Sequence, residues 1–153
     1  MPLIKSVLIS IRPQWVDLIA SGKKTLELRL SYPKLEMPFN VYIYRTAGKG
    51  WRSSSSLDSK VVGEFTCDYI VRNCELENAE IAEQSSCVSR DEINRYGCGR
   101  EVFGWHISNL KMYKEPKLLG EFYKYKARPW EMQNLSIKVK RAPQSWAYVE
   151  EEA

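Results

Sequence analysis

The stretch GKKTLELRL, residues 22–30, has the alternation of a β-strand. Leucines and polar residues alternate along it, as in a strand with one face in a core: Leu26, Leu28 and Leu30 against Thr25, Glu27 and Arg29. Successive residues on one face of a strand are about 7 Å apart. Glu27 can therefore hold the guanidinium of Arg29 in a fixed orientation. The residue types leave two interpretations open, a solvated strand face and a binding site.

Lys24 is out of phase with this polar face. In an ideal strand its side chain would point toward the leucines, where an unpaired charge is costly. We therefore expect Lys24 at an irregular strand start, where a turn at Gly22 directs it toward the polar side.

The length of 153 residues suits one domain, expected to span 1–153. With 44% hydrophobic and 27% charged residues, the composition excludes disordered and fibrous classes. The N-terminal MPLIKSVLISIRP has neither a signal-peptide layout nor a membrane-length apolar run. A cytoplasmic protein without a membrane partner is the expectation.

The cysteines and the single histidine suggest no metal or cofactor site. His106 lies in the strand-like FGWHISNL, where a core or edge role is favoured over catalysis. No CxxC pair occurs, so the thiols are interpreted as reduced and structural: Cys67, Cys74, Cys87 and Cys98.

The net charge of +4 is unevenly distributed. The segment 111–141 contains nine basic residues and three acidic ones. Aromatic residues are interleaved among them: Tyr113, Phe122, Tyr123, Tyr125 and Trp130. Positive charge attracts phosphate and aromatic faces stack bases, so the segment is compatible with nucleic acid. A solvated surface with inward-facing rings is an equally open interpretation.

The periodicities predict short helices and several strands. The strands are expected at 6–11, 41–46, 60–71, 102–113 and 145–149, and the helices from Pro13 to the Ser21–Gly22 turn, at 76–84 and at 89–96. Ser89 and Glu92 resemble a capping box. AGKGWRSSSSLDS, residues 47–59, predicts a long mobile loop, either a lid or an ordinary insertion. Residues 114–141 have no clear pattern. The order indicates α+β: a small curved sheet or barrel with helices to one side.

Gly22, Lys24, Glu27 and Arg29 match the pattern GxKxxExR, which closely resembles the signature of the ASCH domain family, relatives of the PUA RNA-binding domain. LISIRPQWVDLIASGKKTLELR resembles the opening strand, helix and second strand of that family, and NVYIYRTAGKGW and KVVGEFTCDYI resemble its next strands. GWHISNLKMYKEPKLL and APQSWAYV are similar to the closing elements of longer, single-domain bacterial and prophage-type members. The resemblance spans nearly the whole chain.

The resemblance implies a PUA-like small mixed β-barrel flanked by short helices, with the signature residues in a cleft between them. The family is proposed to bind RNA or nucleotides, often in transcription or translation control. By resemblance the site comprises Arg12, Lys24, Glu27, Arg29, Tyr44, Gln144 and Ser145. The three basic residues would meet a phosphate, while Glu27 would orient Arg29 or accept from a base amine. Candidate stacking groups are Trp15, Tyr44, Trp51 and Trp105, with core packing favoured for Trp15 and Trp105.

One branch of the family is enzymatic. Small bacterial members hydrolyse the amide of an acetylated cytidine with a lysine, a threonine nucleophile and a glutamate. Their threonine follows the lysine by three positions, where this chain has Glu27; Thr25 lies two positions earlier. The resemblance therefore favours binding over amide hydrolysis. Other members cleave RNA, and Lys24 with Glu27 could supply general acid/base chemistry.

The sequence thus predicts a module that binds RNA or a nucleotide, with single-stranded DNA also open as a ligand. A hydrolase acting on RNA (a ribonuclease) or on a modified nucleoside is the first alternative, and a protein-interaction adaptor is the second. Oligomeric state has no signature in the sequence.

Overall fold

The computed structural model describes residues 4–47, 55–125 and 137–152. In these residues the strands are β1 (Lys5–Ile11), β2 (Leu26–Arg29), β3 (Phe39–Arg45), β4 (Lys60–Val71), β5 (Phe103–Lys117) and β6 (Trp146–Glu150). The helices are α1 (Pro13–Ala20), α2 (Ala79–Ser86) and α3 (Arg90–Gly97), and a 3-10 turn covers Leu119–Glu121. Each predicted helix and strand is present. The largest differences in bounds are the later start of α2 and the extension of β5 to Lys117.

The strands form one mixed sheet in the order β2-β5-β4-β3-β1-β6. β1 pairs with β3 in parallel, with Val7 opposite Val41, and with β6 antiparallel. A parallel pair needs a long crossover, which the chain between β1 and β3 supplies. β2 runs antiparallel to β5, with Glu27 opposite Trp105. A mixed sheet with short helices confirms the α+β class.

The chain divides into two compact units. The first unit comprises Met1–Pro13, Asn40–Glu64 and Lys111–Ala153, and the second comprises Gln14–Phe39 and Phe65–Leu110. β4 and β5 therefore contribute residues to both. A single functional domain over 1–153 stays a prediction.

In the first unit both faces of β1 and β3 are buried: Val7, Ile9, Val41 and Ile43 lie on one face, and a buried cluster that includes β6 lies on the other. The buried cluster comprises Leu8, Tyr42, Val61, Phe122, Val139 and Val149. Tyr44, Tyr113 and Leu119 pack against it. Close approach of two strands depends on Gly63, because a Cβ there would lie 2.7 Å from the backbone oxygen of Lys111.

The second unit buries the leucine face of the GKKTLELRL stretch, as its alternation predicts. Its core cluster comprises Leu26, Leu28, Cys74, Ala82, Ile93 and Val102. α3 packs Ile93 into this core, and Ser89 caps that helix: its hydroxyl accepts a hydrogen bond from the Glu92 N–H at 3.3 Å. The Ser89 half of the predicted capping box is confirmed.

Candidate functional site

The turn between α1 and β2 sets the position of Lys24. α1 ends at Ala20, and Gly22 follows with φ +82°, a left-handed conformation that favours glycine. The N–H groups of Lys23 and Lys24 both donate to the Leu18 carbonyl at 3.1 Å. Lys24 thus precedes the regular strand, so the alternation of side chains along β2 does not determine the direction of its side chain.

Glu27 lies between two cations. Its Oε2 is 2.7 Å from Nη2 of Arg29, and its Oε1 is 3.4 Å from Nζ of Lys24. Lys24 is 2% exposed and Glu27 is 4% exposed, while the Arg29 side chain retains 12% exposure. The solvated-face interpretation is therefore wrong for Glu27, and Lys24 is buried beside it. We call Lys24, Glu27 and Arg29 the signature cluster.

Two further groups hold the Lys24 ammonium. Nζ donates to the backbone oxygen of Ser86 at 2.7 Å and lies 4.9 Å from the ring centroid of Trp15. Burial lowers the pKa of Lys24, and the neighbouring Glu27 carboxylate offsets part of that shift. The lysine is thus fixed by a carboxylate, a carbonyl and an aromatic face.

Two residues beside the signature cluster were missed by sequence reasoning. Tyr96, on α3, is 44% exposed; burial raises its pKa, Arg29 lowers it and Glu27 raises it. Cys87 follows α2, and its thiol lies 3.4 Å from the Lys23 carbonyl. Neither residue forms a local pattern with the signature, so only the packing of α2 and α3 could identify them.

The other predicted site residues belong to the first unit: Arg12, Tyr44, Gln144 and Ser145. They gather at the end of β1. Ser10 pairs with Tyr44, and its N–H donates to the Ser145 carbonyl at 3.0 Å. Arg12 and Gln144 are exposed, whereas Tyr44 packs against the core of that unit. Their participation in one site with the signature cluster stays a prediction.

The predicted stacking tryptophans have different environments. Trp105 is fully buried, and its Nε1 donates to the Ser31 carbonyl at 3.1 Å, so core packing accounts for it. Trp15 is half-buried against Lys24. Trp51 and most of the loop predicted at 47–59 lie outside the described residues, as do Lys126, Arg128 and Trp130 of the basic segment.

The histidine and the cysteines were expected to be structural. Nδ1 of His106 lies 2.7 Å from Oδ1 of Asp68, and its ring stacks on Tyr69 with centroids 4.3 Å apart. The cysteines are all free thiols, two buried (Cys67, Cys74) and two exposed (Cys87, Cys98). Within the described ranges, no cluster of His, Cys, Asp or Glu could hold a metal ion. No helix there is long and apolar enough to cross a membrane.

Comparison with solved structures identifies the same fold in the ASCH protein of Zymomonas mobilis. Its crystal structure matches with a TM-score of 0.67 and 19% identity, covering 94% of this chain and 86% of that chain. A Ser-to-Ala variant of that protein gives a TM-score of 0.69 at 19% identity, covering 97% and 90% of the two chains. A Tyr-to-Phe variant gives 0.66 at 17% identity, covering 94% and 88%.

No curated protein matches the chain. The structural likeness confirms the predicted α+β fold of the ASCH type, with its barrel-like mixed sheet. A family model, that of the ASCH domain, matches residues 9–135, which is most of the sequence. The chain belongs to the ASCH domain family.

Proposed function

We propose that the protein binds RNA or a nucleotide through its signature cluster. One observation carries the proposal: the Glu27 carboxylate holds Arg29 at 2.7 Å while it is itself nearly buried. A guanidinium held by a buried carboxylate is oriented before any ligand arrives, which lowers the entropy cost of binding. RNA binding is a general property of the ASCH family, which supports this ligand class.

The charge balance of the signature cluster favours an anionic ligand. Lys24 and Arg29 are two cations against the single carboxylate of Glu27. Excess positive charge that is mostly removed from water is attracted more strongly to an anion than the same charge on an open surface. A phosphate would balance this excess.

The three residues have separate roles in the proposal. Arg29, the most exposed of them, contacts the ligand. Glu27 orients Arg29, and Lys24 holds the second oxygen of Glu27. Tyr96 offers a half-exposed ring beside them on which a base could stack.

The remaining predictions attach to the same proposal. Arg12, Tyr44, Gln144 and Ser145 are proposed to extend the ligand contact, and single-stranded DNA is an alternative polymer. A role in transcription or translation control and a cytoplasmic location also stay predictions. None of these is needed for the central claim about Arg29.

Fluorescence anisotropy with a short labelled RNA tests the proposal. Arg29→Gln and Lys24→Met should each weaken binding about tenfold or more, by loss of a charge-assisted contact or of its support. Lys23→Met is the matched control, because Lys23 is the exposed neighbour of Lys24 and its loss changes the net charge equally. Equal affinity of all three variants and the unaltered protein, with the fold intact, would reject the site.

Hydrolysis of RNA or of a modified nucleoside is a second candidate. Lys24 is buried 3.4 Å from the carboxylate of Glu27, and burial lowers its pKa toward the range useful for proton transfer. Incubation with labelled RNA and with acetylated cytidine, comparing the unaltered protein with Lys24→Ala and Glu27→Ala, tests this. Absence of turnover by the unaltered protein would exclude it.

A further inference from the structure

The sheet of the first unit continues beyond β6 through two short segments. Residues 123–125 run antiparallel to β6: Tyr125 N–H donates to the Tyr148 carbonyl at 3.4 Å, and Glu150 N–H donates to the Tyr123 carbonyl at 2.9 Å. Residues 137–139 in turn pair with the outer side of residues 123–125, where the Lys124 N–H donates to the Ile137 carbonyl at 2.8 Å. Four adjacent backbone segments therefore form one ribbon.

The two faces of this ribbon differ in composition. One face is core, with Leu8, Phe122, Val139 and Val149 in a single buried cluster. On the opposite face, Val7 and Ile9 of β1 are also buried, next to Tyr148 and Trp146 in the strand register. Since side chains alternate along extended backbone, the residues between them belong to the opposite face. That face carries Lys5, Tyr125, Lys138, Trp146 and Tyr148, which we call the cation–aromatic face.

Contacts within the cation–aromatic face join its rings to a lysine. Nζ of Lys5 lies 4.3 Å from the ring centroid of Tyr148 and 4.7 Å from that of Tyr125. Trp146 meets Tyr148 edge-on, with centroids 5.3 Å apart and an interplanar angle of 77°. The three rings are all partly exposed, and Lys138 is exposed. Aromatic surface and positive charge are thus available side by side.

The charges around this face are polarised along β6. Lys140 and Arg141 are exposed in the segment that leads into β6. At the other end, acidic residues and Tyr123 line a pocket: Glu121, Glu150, Glu151 and Glu152. Glu150 also lies opposite Lys5 in the strand register. A polyanion would therefore be repelled from the acidic end and directed toward Trp146.

We propose that the cation–aromatic face binds a single-stranded polynucleotide. Bases stack on Tyr125, Tyr148 and Trp146, while Lys5 and Lys138 contact the phosphates. A single strand fits this chemistry because its bases are unstacked and present their faces, whereas the bases of a duplex cover one another. The surface belongs to the first unit, so this inference does not depend on the signature cluster of the second.

Anisotropy titrations with labelled oligo(U) and oligo(dT) of about 12 nucleotides test the proposal on the full chain. Tyr148→Leu should weaken binding about tenfold, by loss of one stacking platform. Tyr125→Leu, on the outer segment, should do the same and serves if Tyr148→Leu fails to fold. Tyr148→Phe keeps the ring and should retain the affinity to within about twofold.

Salt dependence tests the charge component. Lys5→Gln should weaken oligo(U) binding and reduce the slope of log affinity against log salt by about 0.7. Lys114→Gln is the matched control, since Lys114 is an exposed lysine of the same unit outside the cation–aromatic face, and should leave the slope nearly unchanged. Equal losses from Lys5→Gln and Lys114→Gln would mean diffuse charge attraction only and would overturn the proposal.

Three outcomes separate this surface from the signature cluster and identify its ligand. Mononucleotide binding should be unchanged in Tyr148→Leu, whereas it should fall in Arg29→Gln if the proposed function is right. If Tyr148→Leu weakens the binding of both oligo(U) and oligo(dT), the surface recognises bases and phosphates alone. If Tyr148→Leu weakens the binding of oligo(U) only, RNA is the ligand. Unchanged affinity for both oligomers in folded Tyr148→Leu and Tyr125→Leu would overturn the inference, as would an equal loss for duplex RNA.

Discussion

Arg29 donates to the carboxylate of Glu27 at 2.7 Å, across two positions of the same strand face. The strand alternation makes this contact available, and burial of Glu27 shields its carboxylate from competing water. The pair therefore explains how an arginine on a short strand can have one orientation.

Removal of the carboxylate charge should destabilise the fold. Glu27→Gln keeps the size of the side chain but leaves Lys24 and Arg29 as neighbouring cations, both largely buried. Loss of one partner from a buried ion group typically costs about 3 kcal/mol. Urea unfolding should show this loss of unfolding free energy. Glu80→Gln is the control, because Glu80 is exposed on α2, and it should change the unfolding free energy by less than about 0.5 kcal/mol.

Lys24→Met should cost less than Glu27→Gln. It removes the excess cation and leaves Glu27 paired with Arg29, so the remaining pair is electrically balanced. The main loss is the hydrogen bond to the Ser86 carbonyl, about 1 kcal/mol. A larger loss for Lys24→Met than for Glu27→Gln would contradict this description of the cluster.

Lys24 should also give the fold an alkaline pH dependence. Burial lowers its pKa from 10.5, so the unfolded chain binds more protons than the folded one between the lowered value and 10.5. Below that window Lys24 is charged in the folded protein, and the free-energy cost of burying its ammonium is fully present. The cost disappears as the pH rises through the window, because the buried lysine loses its proton. The stability of the unaltered protein relative to Lys24→Met should therefore increase with pH; a flat or falling difference would be the opposite of this expectation.

The four thiols should react in two classes. Burial raises the pKa of Cys67 and of Cys74 to about 12, whereas Cys87 and Cys98 are exposed. At a pH of about 8, a disulfide reagent should label two thiols of the native protein quickly and all four after unfolding. The double variant Cys87→Ser with Cys98→Ser should lose the fast phase, and a persisting fast phase would place reactivity at a buried thiol.

The buried thiols also predict a loss of stability at high pH. Each is protonated in the folded protein while its unfolded counterpart ionises near pH 9, so unfolding is favoured as the pH rises above 9. Cys67→Ala should reduce this decline relative to the unaltered protein in urea titrations. An identical decline in both proteins would exclude Cys67 as a source.

Close strand approach at Gly63 should tolerate no side chain. A Cβ there would lie 2.7 Å from the Lys111 backbone oxygen and 2.9 Å from Sδ of Met112. Gly63→Ala should therefore lower the unfolding free energy by about 2 kcal/mol, since the backbone of β5 must move. Gly120→Ala is the control, because a Cβ at Gly120 would have no atom within 4 Å. Similar stabilities of the two variants would show that the strands separate easily.

The sequence predicted the elements whose cause is local. Alternation placed Leu26 and Leu28 in a core and Glu27 beside Arg29, and the turn at Gly22 accounts for the position of Lys24. The N-cap at Ser89 also follows from neighbouring residues. Each of these features involves residues a few positions apart, so short-range geometry suffices to predict them.

Burial of the polar face could not be predicted in this way. Lys24 is covered through contacts with Ser86 and Trp15, which come from two different helices. Arg29 and Glu27 also act on the pKa of Tyr96, which lies on a third helix. Such contacts depend on tertiary packing, and no pattern within the GKKTLELRL stretch indicates that its polar residues are enclosed.

A structure of the protein with a bound oligoribonucleotide tests the central claim most directly. We predict a phosphate or base in contact with the Arg29 guanidinium, with the pairing of Glu27 and Arg29 at 2.7 Å retained. A bound oligoribonucleotide with no part in contact with Arg29, whether or not the cation–aromatic face is occupied, in a protein whose signature cluster is unchanged, would contradict this prediction.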